Sequence, residues 1–370
     1  MPRLVSAAGF TTALGGGALP AEVRRAMDEA AASTYRPDDL QRWASEAIAE
    51  ATGAEAGWVT TGAEAAMTLG AAACIAGTRL PDLDRLPDGR GAEIVVQRGH
   101  RNAYDRAFRS AGAAIVEVGY PYHEGVGLTY AWQLEEAFGE RTVAVGHLAC
   151  AEHLGLPLEA VCSLAAAHDI PVIVDAAAEL PPVSNLRRFL DEGAALVAFS
   201  GGKAIRGPQG SGILAGRRDL IASVRLQTLD MDVDVPGWTE TEGTEPPHHG
   251  LGRSMKAGKE QIVGAVVALQ AFVRRDHEAE AHEHGRWLET LRPIAAALGE
   301  TEIRRDAFYP RLVVHGLGAR ARTLADRLAA GTPPVIVPHG PLRRGELVVW
   351  PQAITPDDRP VVEAALEALS

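Results

Sequence analysis

Between residues 57 and 216 the chain alternates short β-branched runs with stretches long enough for helices, and few folds accept that rhythm. The runs cover residues 57–59, 93–96, 114–118, 142–147, 172–174 and 194–199. Their near-continuous apolar character predicts strands buried on both faces, hence a mostly parallel sheet flanked by helices, an α/β fold. In such sheets ligands sit beyond the carboxyl ends of the strands. The residues that follow each run are therefore where chemistry is to be sought.

Two of those ends stand out. Val172-Ile173-Val174 runs into Asp175, and the apolar run ending at Phe199 stops at Ser200-Gly201-Gly202-Lys203. An acid at one strand end and a lysine past another is the minimal hardware for pyridoxal phosphate (PLP). The lysine forms a Schiff base with the aldehyde, and the acid keeps the pyridine nitrogen protonated so that the ring serves as an electron sink. Earlier, Trp58-Val59-Thr60-Thr61-Gly62-Ala63-Glu64 is a strand running through a small-residue turn into an Ala-rich helix. Such a turn either binds a phosphate on the helix N-terminus or merely joins two elements. His100 follows the strand at 93–96 and reads either as a cap or as a ring lying over a planar cofactor.

The rest of the chain frames that core. Residues 1–19 read as an extended, glycine-broken arm, residues 20–250 as a large domain, and residues 251–370 as a long helix plus a small α/β C-terminal domain. Helices are expected from Pro20, and from an Asp38 or Asp39 cap to Thr52 with Leu40, Trp43, Ala47 and Ile48 on one face. Residues 78–91 read as a polar, Pro-rich loop, and residues 230–251 as a long functional loop. One helix continues from about Gly258 through Val273 into a polar stretch whose His277, His282 and His284 are expected on a solvated face rather than on a metal. Cys74, Cys150 and Cys162 lack metal or disulfide spacing and read as reduced core thiols. A net charge of −12 opposes nucleic acid as a partner, and Arg187-Arg188 and Arg217-Arg218 are too short to reverse that. No apolar run has membrane-spanning length, and the N-terminus lacks a signal-peptide core, so a cytoplasmic location away from membranes is expected.

Asp175-Ala176-Ala177 resembles the D-x-A motif of fold-type I PLP enzymes, and Ser200-x-x-Lys203 their S-x-x-K motif. The segments AAGFTTALGG, QRGHRNAYDRAFRSAGAAIVEVGY, AFSGGKAIRGPQGSGILAGR and GRSMKAGKEQIVGAVVAL narrow the likeness to the branch related to bacterial selenocysteine synthase, over residues 4–275. That resemblance implies roles. Lys203 is the Schiff-base lysine and proton shuttle, Asp175 pairs with the pyridinium nitrogen, and Ala177 leaves room for the ring. His100 stacks on the ring's outer face. Gly62, Ala63, Glu64 and Ser200 hold the phosphate, and Gln209 and Gly210 approach it in the same or a neighbouring subunit. A substrate carboxylate calls for an arginine, with Arg253 placed ahead of Arg206 and Arg36. The resemblance further implies a homodimer or higher homo-oligomer acting on a small amino acid. The favoured reaction is α,β-elimination with ammonia release from a β-hydroxylated amino acid or amino sugar acid. Racemase, aldolase and aminotransferase chemistry stay open. Selenium transfer on aminoacyl-tRNA is disfavoured by the acidic charge and by a chain expected to start directly at the arm. Ser6 stands where the relatives carry an asparagine, which implies a different substrate if that residue touches it.

Overall fold

A computed structural model describes residues 3–123, 126–229 and 249–369. The chain opens with a two-residue strand, β1 (Val5–Ser6), and helices α1 (Ala21–Ala31) and α2 (Pro37–Thr52). Next come β2 (Ala56–Thr60), α3 (Ala63–Ala76), α4 (Leu80–Arg85), β3 (Glu93–Gln97), α5 (Arg106–Ser110) and β4 (Ala114–Val118). A hairpin of β5 (Tyr120–His123) and β6 (Val126–Leu128) precedes α6 (Ala131–Glu136), β7 (Thr142–Leu148), α7 (Leu158–Ala166) and β8 (Val172–Asp175). Then follow α8 (Asn185–Asp191), β9 (Leu196–Ser200), β10 (Gly212–Gly216), α9 (Arg218–Thr228) and α10 (Lys259–Arg274). The chain finishes with α11 (His277–Ala295), β11 (Glu300–Arg304), β12 (Arg311–His315), α12 (Arg320–Ala329), β13 (Val335–Ile336), α13 (His339–Leu342), β14 (Leu347–Val349) and α14 (Arg359–Glu367).

These elements form two compact units. The larger, Pro20–Gly201 with Gly210–Val273, holds a seven-stranded sheet in the order β2-β10-β9-β8-β7-β3-β4. Every neighbouring pair is parallel except those of β10, which runs antiparallel to both β2 and β9. The expected mostly parallel sheet is thus present, with one reversed strand. Helix α3 is apolar all round, as suits a central buried helix, and Gly70 brings it to within contact of Leu196 on β9. The edge strand β2 is managed by a side chain. Buried Gln41 on α2 donates to the Val59 carbonyl at 2.7 Å and accepts from the Val59 N–H at 2.9 Å, as a neighbouring strand would.

Several local expectations are corrected here. Helix α2 starts at Pro37 rather than at an Asp cap, because proline's fixed φ and missing N–H suit a first helical position. Asp38 instead binds Arg225 on α9, at 2.8 Å. The buried face of α2 runs through Gln41, Ala44 and Ile48, which turns Trp43 outward. Residues 80–85 form a short helix, not a loop, with Pro81 in its first turn and Leu83 buried. Cys162 is buried, but Cys150 is exposed and is no core thiol.

The smaller unit comprises Met1–Leu19, Gly202–Gln209 and Arg274–Ser370. Its antiparallel sheet, β11-β12-β14, packs on α11, α12 and α14 around Leu288, Leu291, Leu312, Leu324 and Val362. The N-terminal arm is not free within this unit. Strand β1 pairs in parallel with β13, burying Val5 and Ala7. The long helix expected after Gly258 is broken into α10 and α11, because Asp276 caps α11 by accepting from the Ala279 N–H at 2.9 Å. His282 is exposed as expected, but His277 and His284 are buried. Seven residues apart, they share the helix face that meets Tyr309, with His277 Nδ1 3.2 Å from the Tyr309 hydroxyl and the His284 ring edge-on to it. No described helix is long and apolar enough to cross a membrane.

Candidate active site

Strand order in the larger unit brings several of the sequence candidates to one end of the sheet. At the β2 end, Gly62 is the N-cap of α3 with φ 130°, a value that favours glycine, and no side chain caps the helix. The Thr60 hydroxyl donates to the Gly62 carbonyl at 2.8 Å, and the Thr61 hydroxyl donates to the Met255 carbonyl at 3.2 Å. Both hydroxyls therefore serve carbonyls, and Gly62, Ala63 and Glu64 stand at the N-terminal end of α3, the end of a helix that favours anions. Gly212, first residue of β10, pairs with both Thr60 and Ser200. A Cβ there would lie 2.2 Å from the Gly62 carbonyl carbon, so only glycine lets β10 begin against the turn. Gly210 is exposed just before it.

Next in the sheet, β8 ends on Asp175, whose Oδ1 accepts from the Ala177 N–H at 3.0 Å. Beyond it lies a cavity lined by Asp175, His147, His100, Asn102, Tyr104 and Met67. His100 ends a short turn after β3 and is 1% exposed, and its Nδ1 accepts from the Leu148 N–H at 3.3 Å. His147, near the end of β7, sets its ring edge-on to His100 with centroids 4.5 Å apart. Asn102 steadies this corner: its side chain accepts from the Tyr104 N–H at 2.7 Å and donates to the His100 carbonyl at 3.2 Å. Among the described residues, both His147 ring nitrogens are buried without a hydrogen-bond partner. Buried polar atoms are ordinarily paired, so these nitrogens are open to a further partner. Sequence reading missed His147, Asn102 and Tyr104. The only signal for His147 was its position at the end of an apolar run.

Both histidines are held neutral. Burial pushes His100 down to about 4. Burial, assisted by His100 alongside, pushes His147 down to about 3. In the unfolded chain each titrates near ~6.5. As pH falls from about 6.5 toward 4 the unfolded state takes up protons that the folded state refuses, so stability falls with falling pH in that window. The unfolding free energy of the cofactor-free protein, measured with urea, is expected to drop between pH 7 and 5, by on the order of 2 kcal/mol for each ring at the lower end, and the urea midpoint with it. His147→Phe is expected to remove about half of that slope. A midpoint unchanged over this range in the wild type would show that the rings are not buried neutral.

In the smaller unit, Lys203 lies three residues beyond the end of β9 and is half-buried. The chain has three lysines, Lys203, Lys256 and Lys259. Lys256 is exposed, and Lys259 donates to the Ala31 carbonyl at 3.1 Å. The Arg206 N–H donates to the Lys203 carbonyl at 2.9 Å, and Arg206 pairs with Glu280 at 2.8 Å. Gln209 donates to the Thr12 hydroxyl at 3.2 Å and packs against Gly16 and Gly202. Of the other arginines, Arg36 is the exposed N-cap of α2, and Arg253 is half-buried in the turn Leu251–Met255. Most of the expected loop 230–251 lies outside the described residues.

No family model matches the sequence. A 5'-C-glycyluridine monooxygenase-decarboxylase from a Streptomyces species is 33% identical over 99% of this chain and 89% of its own length. This chain belongs to the fold-type I PLP enzymes of the selenocysteine synthase-like branch. Other members of that branch agree. A D-glucosaminate-6-phosphate ammonia lyase from Salmonella typhimurium is 28% identical over 100% of this chain and 96% of its own length. A solved D-glucosaminate-6-phosphate ammonia-lyase structure superimposes with a TM-score of 0.82 at 28% identity, covering 100% of this chain and 96% of that one. An L-seryl-tRNA(Sec) selenium transferase from Nitratidesulfovibrio vulgaris is 29% identical over 50% of this chain and 39% of its own length, a more distant relation.

Proposed function

We propose that this protein is a PLP-dependent lyase that releases ammonia from an amino acid by α,β-elimination, with Lys203 as its cofactor lysine. The observation that carries the reading is the order of groups along one sheet end. His100 follows β3, His147 is on β7, Asp175 ends β8, Ser200 ends β9, and Gly62–Ala63–Glu64 follow β2. These residues fit the cofactor. An uncapped helix N-terminus suits a phosphate dianion, with the Ser200 hydroxyl adding a donor. Asp175 supplies the anion that a protonated pyridine needs, Ala177 is small beside it, and neutral His100 offers a flat ring. Gln209 and Gly210 would serve the phosphate from the segment that follows Lys203.

When bound, the cofactor supplies an electron sink for negative charge at the substrate's α-carbon. The chain's own residues do the rest. Lys203 would hold the cofactor at rest and, with its amine free, would take the substrate's α-proton and return a proton to the departing β-hydroxyl, which leaves as water. Water then adds to the enamine product, giving a 2-oxo acid and ammonia. Arg253 would take the substrate carboxylate ahead of Arg36, while the Arg206 guanidinium pairs with Glu280. Similarity to the ammonia lyase over nearly the whole of both chains supports elimination and a β-hydroxylated amino acid or amino sugar acid as substrate. A cytoplasmic homodimer or higher homo-oligomer is part of this reading. The acidic charge weighs against a tRNA substrate.

A second reading has its own observation. The 33%-identical relative is a monooxygenase-decarboxylase, so oxidative loss of the carboxylate is the competing outcome at the same α-carbon. The PLP-loaded protein should be screened against D- and L-β-hydroxy amino acids, amino sugar acids and nucleoside amino acids. Equimolar ammonia and 2-oxo acid without oxygen uptake is the result expected for elimination. Oxygen uptake with carbon dioxide release would replace that reading with the second. Neither outcome with any candidate would refute both reactions.

A further inference from the structure

The segment that carries Lys203 is held by a chain of interactions within the smaller unit that the reaction itself does not use. Arg206 has φ +61°, in the left-handed region that non-glycine residues rarely adopt. Such a conformation persists only where its surroundings over-determine it. Here the Arg206 N–H closes a turn onto the Lys203 carbonyl at 2.9 Å, and Arg275 donates to the Ala204 carbonyl at 3.3 Å. The Arg206 guanidinium lies over the Phe10 ring, 5.7 Å from its centroid, and pairs with Glu280 Oε1 at 2.8 Å. Glu280 Oε2 accepts from the Tyr309 hydroxyl at 2.6 Å, and that hydroxyl is 3.2 Å from His277 Nδ1. Burial would raise the Glu280 carboxyl, but the Arg206 charge and the Tyr309 bond outweigh it and hold the group below the usual carboxylate range. The carboxylate is thus charged, with both oxygens engaged and side chains mostly shielded from water, where an ion pair keeps more of its strength than at the surface.

We propose that Glu280, acting through Arg206 and oriented by Tyr309, is the positioning residue for Lys203: it fixes the strained turn over residues 203–206 in the conformation that presents the amine to PLP. This deepens the assignment of Lys203 and rests on it. An ion pair serving stability alone would make no difference to how readily that amine bonds the cofactor.

The test uses the full-length protein with added pyridoxal phosphate, trapped by borohydride and read as modified Lys203 peptide by mass spectrometry. Wild type, Glu280→Gln, Arg206→Lys and Arg206→Gly are compared, the last because glycine accepts the backbone conformation while losing the tether to Glu280. Circular dichroism on each variant identifies those that fold. The expected result is at least a tenfold slower formation of the Lys203 adduct in folded Glu280→Gln and Arg206→Gly, with partial recovery in Arg206→Lys. Turnover should fall in kcat with KM within about twofold, the signature of a misplaced group rather than of weakened substrate binding. Wild-type trapping rates in folded Glu280→Gln and Arg206→Gly would overturn the inference. Absence of any Lys203 adduct in the wild type would instead overturn the underlying cofactor assignment, so the two failures are distinguishable.

Discussion

Lys203→Ala is expected to give a folded protein that no longer holds pyridoxal phosphate covalently and no longer turns over substrate. The turn around residue 203 depends on its main chain, through the bond from the Arg206 N–H to the Lys203 carbonyl, and alanine keeps that bond. The stability change should therefore be small, as for a half-buried side chain without a packed role. Function is another matter, because the variant removes the residue proposed as both covalent anchor and α-proton base. General acid–base catalysis alone contributes ~10²–10⁴-fold, so kcat is expected to fall by about 10⁴-fold or more. Visible absorbance of the lysine-linked cofactor and single-turnover rates measure the two losses separately. Covalent attachment in Lys203→Ala would move the site to Lys256 or Lys259, and neither follows a strand of the parallel sheet.

Asp175→Asn carries the second largest expected effect. Asparagine matches aspartate in size, and its carbonyl oxygen can still accept from the Ala177 N–H, so the end of β8 should keep its shape. What disappears is the negative charge proposed to stabilise a protonated pyridine ring. A preorganised electrostatic partner of this kind is worth roughly 10²–10³-fold in rate, and kcat is expected to fall by that factor while the cofactor remains attached to Lys203. An Asn variant with wild-type kcat would remove Asp175 from the electron-sink role and leave it a turn-forming residue.

Which parts of this were legible in the sequence follows from how local each signal is. Asp175, the Gly62 turn and Lys203 are each marked by a strand end within a few residues, and strand ends are what β-branched runs reveal. The partnership of His100 with His147 is not local. It arises because β3 and β7 are neighbours in the sheet, a pairing across about fifty residues that no short window contains. The reversed β10 is likewise invisible until Gly212 is seen wedged against the Gly62 carbonyl. Helical spacing predicts Trp43 inward, but the buried stripe of α2 is set by Gln41 reaching the edge of β2, a tertiary contact that overrides periodicity. The polar stretch that holds His277 and His284 points to a solvated face, yet both are buried. Their spacing of seven held the contrary signal, and only Tyr309, some thirty residues on, gives that face a partner.

The account stands or falls on where the cofactor attaches. Three lysines make the measurement simple: reduce the PLP-loaded protein with borohydride, digest it, and identify the modified peptide by mass. The account predicts one modified lysine, Lys203, at close to one equivalent per chain. A cofactor adduct on Lys256 or Lys259 in its place, or none on any lysine, would contradict it.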